Sequence, residues 1–283
     1  MFDKEAIQEL AQAEAVNASR NSIESALQST TDYGLAALPG NFLLHNLEAY
    51  LPNRRRARGT MSTKSMVSFA VYAIQHNEAG AVFIDSEKMR AVAVLNLGAS
   101  QSPGHADNRA VFEAERTAAY AALRSVANGQ GLTQQKVAEF LEDWVGCIQC
   151  FADGAEVQPG KAIAAVRKIT IEATRKLEST EQQLSAAKST FESVAATSTE
   201  TLPTHIYFTT HPYPDLSERT FVLRLGILTG GDKPQITLRI TKLEEHEEAM
   251  AQELAANITR ELKTLDTGSD PMQVLLGTYA AGN

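Results

Sequence analysis

Few stretches of the chain combine the residue types that catalysis or specific binding needs. Cys147-Ile148-Gln149-Cys150 has the spacing of a redox dithiol. Such a pair works when its first thiolate lies at a helix N-terminus, where the dipole lowers the thiol pKa. Here the pair falls at the C-terminal end of a predicted helix carrying Trp144, so the dipole has the wrong sign. The chain has 2 cysteines in all, too few for an all-cysteine zinc site. Buried or incidental thiols are the expectation. Arg54-Arg55-Arg56-Ala57-Arg58 is the densest basic run. Guanidinium forks match phosphate bidentately, which makes Arg54, Arg55, Arg56 and Arg58 the candidate nucleic-acid-binding residues. No aromatic residue is interleaved to stack bases, and a solvated loop or pairing with acids of a neighbouring subunit accounts for the same run.

His105, Asp107, Arg109 and Glu113, with Glu139, Glu142 and Asp143 further on, offer the imidazole and carboxylates of a metal-dependent hydrolase. The later acids fall opposite the apolar face Val137, Phe140, Leu141, Trp144 and Ile148, however, and Asp107 or Asn108 suits a helix cap. His105 and Asp107 are therefore weak metal candidates, and neither a catalytic residue nor a cofactor is assigned. His205, Tyr207 and His211 share the parity of one strand face, a pattern that lines an interface more readily than it binds metal. Glu244-Glu245-His246-Glu247-Glu248 reads as the acidic first turn of a helix. G-x-x-x-x-G-K-[ST], G-x-G-x-x-G and G-x-S-x-G are all missing, so nucleotide-fold and esterase chemistries have no local support.

The elements that must position these residues divide by composition. No alanine occurs between Ala196 and Ala249, whereas the rest of the chain is rich in it. Alanine favours helices, while Thr, Val, Ile and Phe suit a pleated surface, so the gap predicts a sheet. Phe221, Leu223, Leu225 and Ile227 alternate with Val222, Arg224, Gly226 and Leu228. Beyond Gly230-Gly231-Asp232-Lys233-Pro234, the residues Ile236, Leu238 and Ile240 alternate with Thr237, Arg239 and Thr241. Two such runs predict an antiparallel hairpin with one buried face. His205 to Thr210 predicts a third strand. Met250, Leu254, Ile258 and Leu262 repeat every four residues and predict a helix over 243–265.

Earlier in the chain, residues 3–28 read as an amphipathic helix carrying Ile7, Leu10, Val16, Ile23 and Leu27. A short strand is expected at 42–51, and Ser62 or Thr63 as the cap of a helix carrying Met66, Phe69, Val71 and Ile74. Residues 81–85 and 91–97 suggest a hairpin, and 109–127 and 133–149 suggest two helices. Across 161–196, Ile163, Val166, Leu177, Leu184 and Phe191 suit a loose heptad, while alternation around Ile169 and Ile171 suits a strand. We take a strand over 167–177 and a helix over 181–196. The expected fold class is α+β, with antiparallel sheets, packed helices and a C-terminal three-stranded sheet followed by a helix. Its parts are an N-terminal helix and linker (1–40), an α+β core (41–160) and a β-rich part (161–283), with the last two open to being one continuous domain.

The 283 residues carry a formal charge of −8, with 43% hydrophobic and 21% charged residues. These values exclude a mostly disordered chain and a disulfide scaffold. An acidic balance also argues against indiscriminate nucleic-acid binding, though not against a local basic patch. The N-terminal residues lack a signal-peptide pattern and no run is long and apolar enough to span a membrane, so a cytoplasmic protein without membrane contact is expected.

Several segments, in order, resemble the YfdQ-like family of phage and prophage proteins, a domain of unknown function. They are Arg58-Gly59, Ser68-Phe69-Ala70-Val71-Tyr72 with His76, Val82-Phe83-Ile84-Asp85, and Pro103-Gly104-His105-Ala106-Asp107-Asn108-Arg109. Ala138-Glu139-Phe140-Leu141-Glu142-Asp143 follows, then the sheet from Phe221-Val222-Leu223-Arg224 to Leu238-Arg239-Ile240. The resemblance covers roughly residues 40–265, with Trp144 in place of an expected Asn. It implies phage or prophage origin and early genes beside DNA replication and recombination, in the cytoplasm of a host bacterium. It supplies no catalytic residue. Together these readings lead to the expectation of a non-enzymatic, self-associating protein of early infection, supporting phage DNA metabolism or opposing a host defence protein. A nucleic-acid-binding recombination accessory and a metal-dependent hydrolase or nuclease are the alternatives.

Overall fold

The computed structural model describes residues 3–28, 52–53, 56–169, 201–228, 235–266 and 272–280. It divides into two compact units, residues 1–57 and 58–283. The first unit contains helix α1 (Lys4–Gln28). Its apolar residues do not form one stripe: Val16 follows Ile7 by nine positions, about two and a half turns, so the two point to opposite sides. Ile7, Leu10 and Val16 are correspondingly 57%, 62% and 51% exposed. The helix exists as expected, but its amphipathic face does not.

The second unit is α+β and has two five-stranded sheets among the described residues. Sheet one contains β1 (Gly59–Thr63), β2 (Ala81–Asp85), β3 (Arg90–Val94), β6 (Asn108–Glu113) and β12 (Gln273–Leu276), in the order β1-β6-β3-β2-β12. Between β3 and β6 the chain makes a small ribbon of β4 (Gly98–Ala99) and β5 (Ser102–Pro103). Sheet one is mixed rather than antiparallel, since β1 runs parallel to β6 and β12 parallel to β2. Helix α2 (Met66–Gln75) connects β1 to β2 and buries Met66, Phe69, Ala70 and Ala73. Phe69 meets Phe112 of β6 with ring centroids 6.1 Å apart. Ser65, not Ser62 or Thr63, caps α2 by accepting the Ser68 N–H at 3.2 Å. The other two candidates are held in β1.

Sheet two contains β7 (Ile148–Ala152), β8 (Ala155–Val157), β9 (His205–Thr210), β10 (Arg219–Leu228) and β11 (Gln235–Ile240), ordered β11-β10-β9-β7-β8 and antiparallel throughout. The three expected C-terminal strands are all present, and β7 and β8 widen the sheet to five. Its inner face buries Ile206, Phe208, Phe221, Leu223, Leu225, Ile227, Ile236, Leu238 and Ile240, the alternation read from the sequence. Helices α3 (Ala118–Val126), α4 (Gln134–Asp143) and α5 (Pro159–Arg167) lie on that side. Phe140 of α4 stacks on Phe208 at 5.7 Å, and Tyr120 of α3 stacks on Phe221 at 5.1 Å. Helix α6 (Leu243–Leu265) has the expected bounds and buries Met250, Leu254, Ile258 and Leu262. It packs on α2, β2 and β12 of sheet one.

Three expectations change. Residues 108–113 form strand β6, with Ala110, Val111 and Phe112 all buried, so the helix begins only at Ala118. The predicted helix 133–149 stops at Asp143, and the hairpin β7–β8 follows through Asp153-Gly154, with φ +48° and +81°. Residues 159–167 are helical, and Ile163 and Val166 belong to the core rather than to an oligomer seam. The strand expected at 42–51, the helix at 181–196, the hairpin turn at 229–234 and all but the first three residues of the expected strand at 167–177 lie outside the described residues.

Candidate functional site

Beginning with the basic run, Arg54 and Arg55 lie outside the described residues. Arg56 belongs to the first unit, and Arg58 opens the second, one residue before β1. The loop with His105 and Asp107 is built for closure. Asn96 Nδ2 donates to Asp107 Oδ1 at 2.9 Å, Asn96 Oδ1 accepts the Asn108 N–H at 3.0 Å, and Arg109 Nε donates to the Ala106 carbonyl at 2.9 Å. Gly104 is required there, because a Cβ would sit 2.0 Å from the Asn96 carbonyl oxygen. Asn96 and Asn108 are the buried polar residues of the described core, and the Asn96 side chain finds a partner for both its amide oxygen and its amide nitrogen in these contacts. His105 stays exposed. The later acids sit on the outer side of α4: Glu142 pairs with Arg167 of α5 at 2.7 Å, and Glu139 accepts from Gln135 at 2.7 Å. No group of three or more His, Cys, Asp or Glu among the described residues could hold a metal ion.

The C-x-x-C pair has no redox geometry either. Cys147 is half-buried in a turn of 3-10 helix after α4, and Cys150 is fully buried on the inner face of β7. Burial pushes the Cys150 thiol up to about 11, so it is protonated and inert at neutral pH.

The chemistry that does assemble lies on the outer face of sheet two, turned away from α3, α4 and α5. Directly opposed residues of neighbouring strands share a face. The register therefore places Glu156 (β8), Phe151 (β7), His205 (β9), Arg224 (β10) and Arg239 (β11) in one row across the sheet. An isolated bridge sets Asn128 opposite Arg239 beyond the last strand. Tyr207 lies one row away, and its ring meets Phe151 at 4.7 Å with 38° between planes. On β9, β10 and β11 this face has no buried residue, and Arg224, Arg239 and His205 are exposed. No ion pair neutralises either arginine among the described residues. Two guanidinium groups opposed across strands repel each other, and that repulsion is relieved when an anion lies between them.

His205 and Tyr207 share strand parity in the sequence, and the structure places both on this face, with His211 beyond the strand end. There the His211 ring nitrogen Nδ1 lies 2.9 Å from the Leu216 carbonyl oxygen, a local loop contact. Phe151, Arg224 and Arg239 are site residues that sequence reasoning missed. For the arginines the signal was available, since both occupy outward positions of the predicted hairpin. For Phe151 it was the Asp153-Gly154 pair, whose tolerance of positive φ marks a two-residue hairpin turn.

No helix among the described residues is long and apolar enough to cross a membrane. No curated protein and no solved structure matches the chain. A family profile does match, over residues 3–277, and on that coverage the chain belongs to the family described as uncharacterized conserved protein (DUF2303).

Proposed function

We propose that this protein is a non-enzymatic nucleic-acid-binding protein of phage or prophage origin, acting in early infection in support of phage DNA metabolism. The observation that carries the reading is the Arg224–Arg239 pair, opposed across strands on an open sheet face with no neutralising acid among the described residues. An overall charge of −8 keeps the rest of the surface from gathering polyanions indiscriminately, which leaves binding to a local patch. The phage setting rests on the resemblance of the blocks between Arg58 and Ile240. The experiment is a titration of the full chain with mixed single-stranded and duplex DNA at low salt, repeated on the variant carrying Arg224→Gln and Arg239→Gln. Binding lost in the variant supports the reading; a wild-type chain that binds neither form of DNA refutes it.

Self-association is a second reading, favoured by the edge of sheet one. β12 pairs with β2 on one side and with no described strand on the other, and its Leu275 and Leu276 are 44% and 62% exposed. An apolar edge strand recruits another strand. Light scattering at micromolar concentration tests it, and a strict monomer ends it.

A further inference from the structure

Resting on the reading of the outer face of sheet two as an anion-binding surface, we propose that its ligand is single-stranded nucleic acid. Bases lie against Phe151 and Tyr207, and phosphates lie on Arg224 and Arg239.

Three features of the face select this ligand. The first is the aromatic pair. Phe151 and Tyr207 touch at 4.7 Å on the side of the sheet opposite its described helices, where their rings add nothing to the core. An aromatic ring on an open sheet offers a flat surface to another flat group, and an unpaired base presents one. In a duplex both faces of each base are already stacked.

The second is the charge order along the row. Glu156 stands at the β8 end, Phe151 and His205 follow, and Arg224 and Arg239 stand at the β11 end. A carboxylate at one end and two guanidinium groups at the other push phosphates toward β10 and β11 and leave the β7–β9 end to the bases. From β7 to β11 the row crosses three strand spacings, about 14 Å, enough to separate a base contact from a phosphate contact.

The third is shape. The major groove of a duplex admits a helix or a two-stranded ribbon. Here the arginines and the aromatic pair are spread over four of five adjacent strands, β7, β9, β10 and β11. Such a surface is too broad for the major groove, so duplex contact there would be limited to phosphates.

The test uses the full chain with labelled single strands of about 20 nucleotides, oligodeoxythymidylate and oligouridylate, and a hairpin duplex of similar length, each titrated at several salt concentrations. Single strands are expected to bind at least tenfold more tightly than the duplex. Phe151→Leu and Tyr207→Leu, which keep an apolar side chain at half-buried positions, should each weaken single-strand binding about tenfold with the salt dependence unchanged. Replacing both arginines with glutamine should lower the slope of log affinity against log salt by about 1.4, the share of two phosphate contacts to a single strand. Equal affinity for duplex and single strand, or leucine variants that bind like the wild type, overturns the inference while leaving the anion-binding reading standing. Poly-glutamate bound as tightly as oligodeoxythymidylate also overturns it, in favour of an acidic protein partner. Failure of the wild-type chain to bind any nucleic acid removes both readings together.

Discussion

Arg224 and Arg239 occupy positions where a sheet optimised for stability would place opposite charges. The register sets them directly across from each other on β10 and β11. Like charges in that relation destabilise, and opposite charges contribute roughly 0.2–1 kcal/mol. Arg239→Glu should therefore stabilise the fold by about that amount in urea denaturation while weakening nucleic-acid binding. A loss of stability instead would mean that the Arg239 guanidinium has a structural role. The two cysteines separate just as clearly. With its thiol pushed up to about 11 by burial, Cys150 should resist iodoacetamide at neutral pH until the protein unfolds, whereas half-buried Cys147 should alkylate in the native state. Mass spectrometry of the labelled chain reads both sites, and native labelling of Cys150 would contradict its burial. At this scale the expectation of buried thiols was read from the sequence for the wrong reason: the helix whose polarity disfavoured the pair ends at Asp143, and it is burial on β7 that makes Cys150 inert. The arginine pair was not read, although both residues hold outward positions of the predicted hairpin, because alternation gives the face of each strand but not the register that sets Arg224 directly opposite Arg239.

Among the elements, α6 joins the two sheets. Its apolar stripe packs on α2 and sheet one, while Glu253 reaches the other way, to the start of β10. Glu253 Oε1 accepts from the Ser217 N–H at 2.7 Å and from the Ser217 hydroxyl, and Oε2 accepts from Arg219 at 2.6 Å. With Glu253 and Arg219 side chains only 20% and 19% exposed, water replaces these bonds poorly. Glu253→Ala should lower stability by about 1.5–3 kcal/mol, the scale of hydrogen bonds to a partly buried charge. Chemical denaturation measures it, and a change under about 0.5 kcal/mol, the size of an ordinary surface substitution, would show that α6 is held by its apolar stripe alone. The stripe was readable because four residues at fourfold spacing are a helical signature. β6 was not, because Ala110, Val111 and Phe112 are buried on both faces of a central strand, which erases period-two alternation. α1 shows the opposite error: the helix and its bounds were correctly read, but scattered apolar residues were taken for a single face.

At the scale of the whole molecule, the joint between α6 and sheet two carries two described groups, His246 and Glu253, whose lowered pKa values make stability fall in acid. Arg219 is common to two of its titrating groups. It hydrogen-bonds Glu253, and its charge acts on His246, whose ring meets Phe221 at 4.8 Å. Burial first, then the Arg219 charge, lowers the His246 pKa, against a smaller opposing effect of Glu245. The unfolded chain then takes up a proton near the ordinary value of about 6.5 more readily than the folded chain, so stability falls as pH drops through that value. Burial acts to raise the Glu253 pKa, but its bonds to Ser217 and Arg219 and the Arg219 charge together hold it below its ordinary value, so it adds a second loss at lower pH as it protonates. Asp215 works the other way. Burial and the nearby Glu261 raise its pKa, so the folded chain holds that proton more tightly and Asp215 opposes the acid loss caused by Glu253. Among the described groups with a shifted pKa, His246 is the one whose ordinary value lies nearest neutrality, so it gives the first acid loss among them, as pH falls through about 6.5. The midpoint of urea unfolding should fall between about pH 7 and 5 in the wild type, and His246→Gln, which cannot take up a proton, should flatten the fall. An unchanged slope in the variant would assign the first acid loss to another group. Because His246 and Glu253 both fasten α6 to β10, acid should loosen the strand that carries Arg224 along with the helix. Amide exchange in β10 should accordingly rise at about pH 5 in the wild type and rise less in His246→Gln.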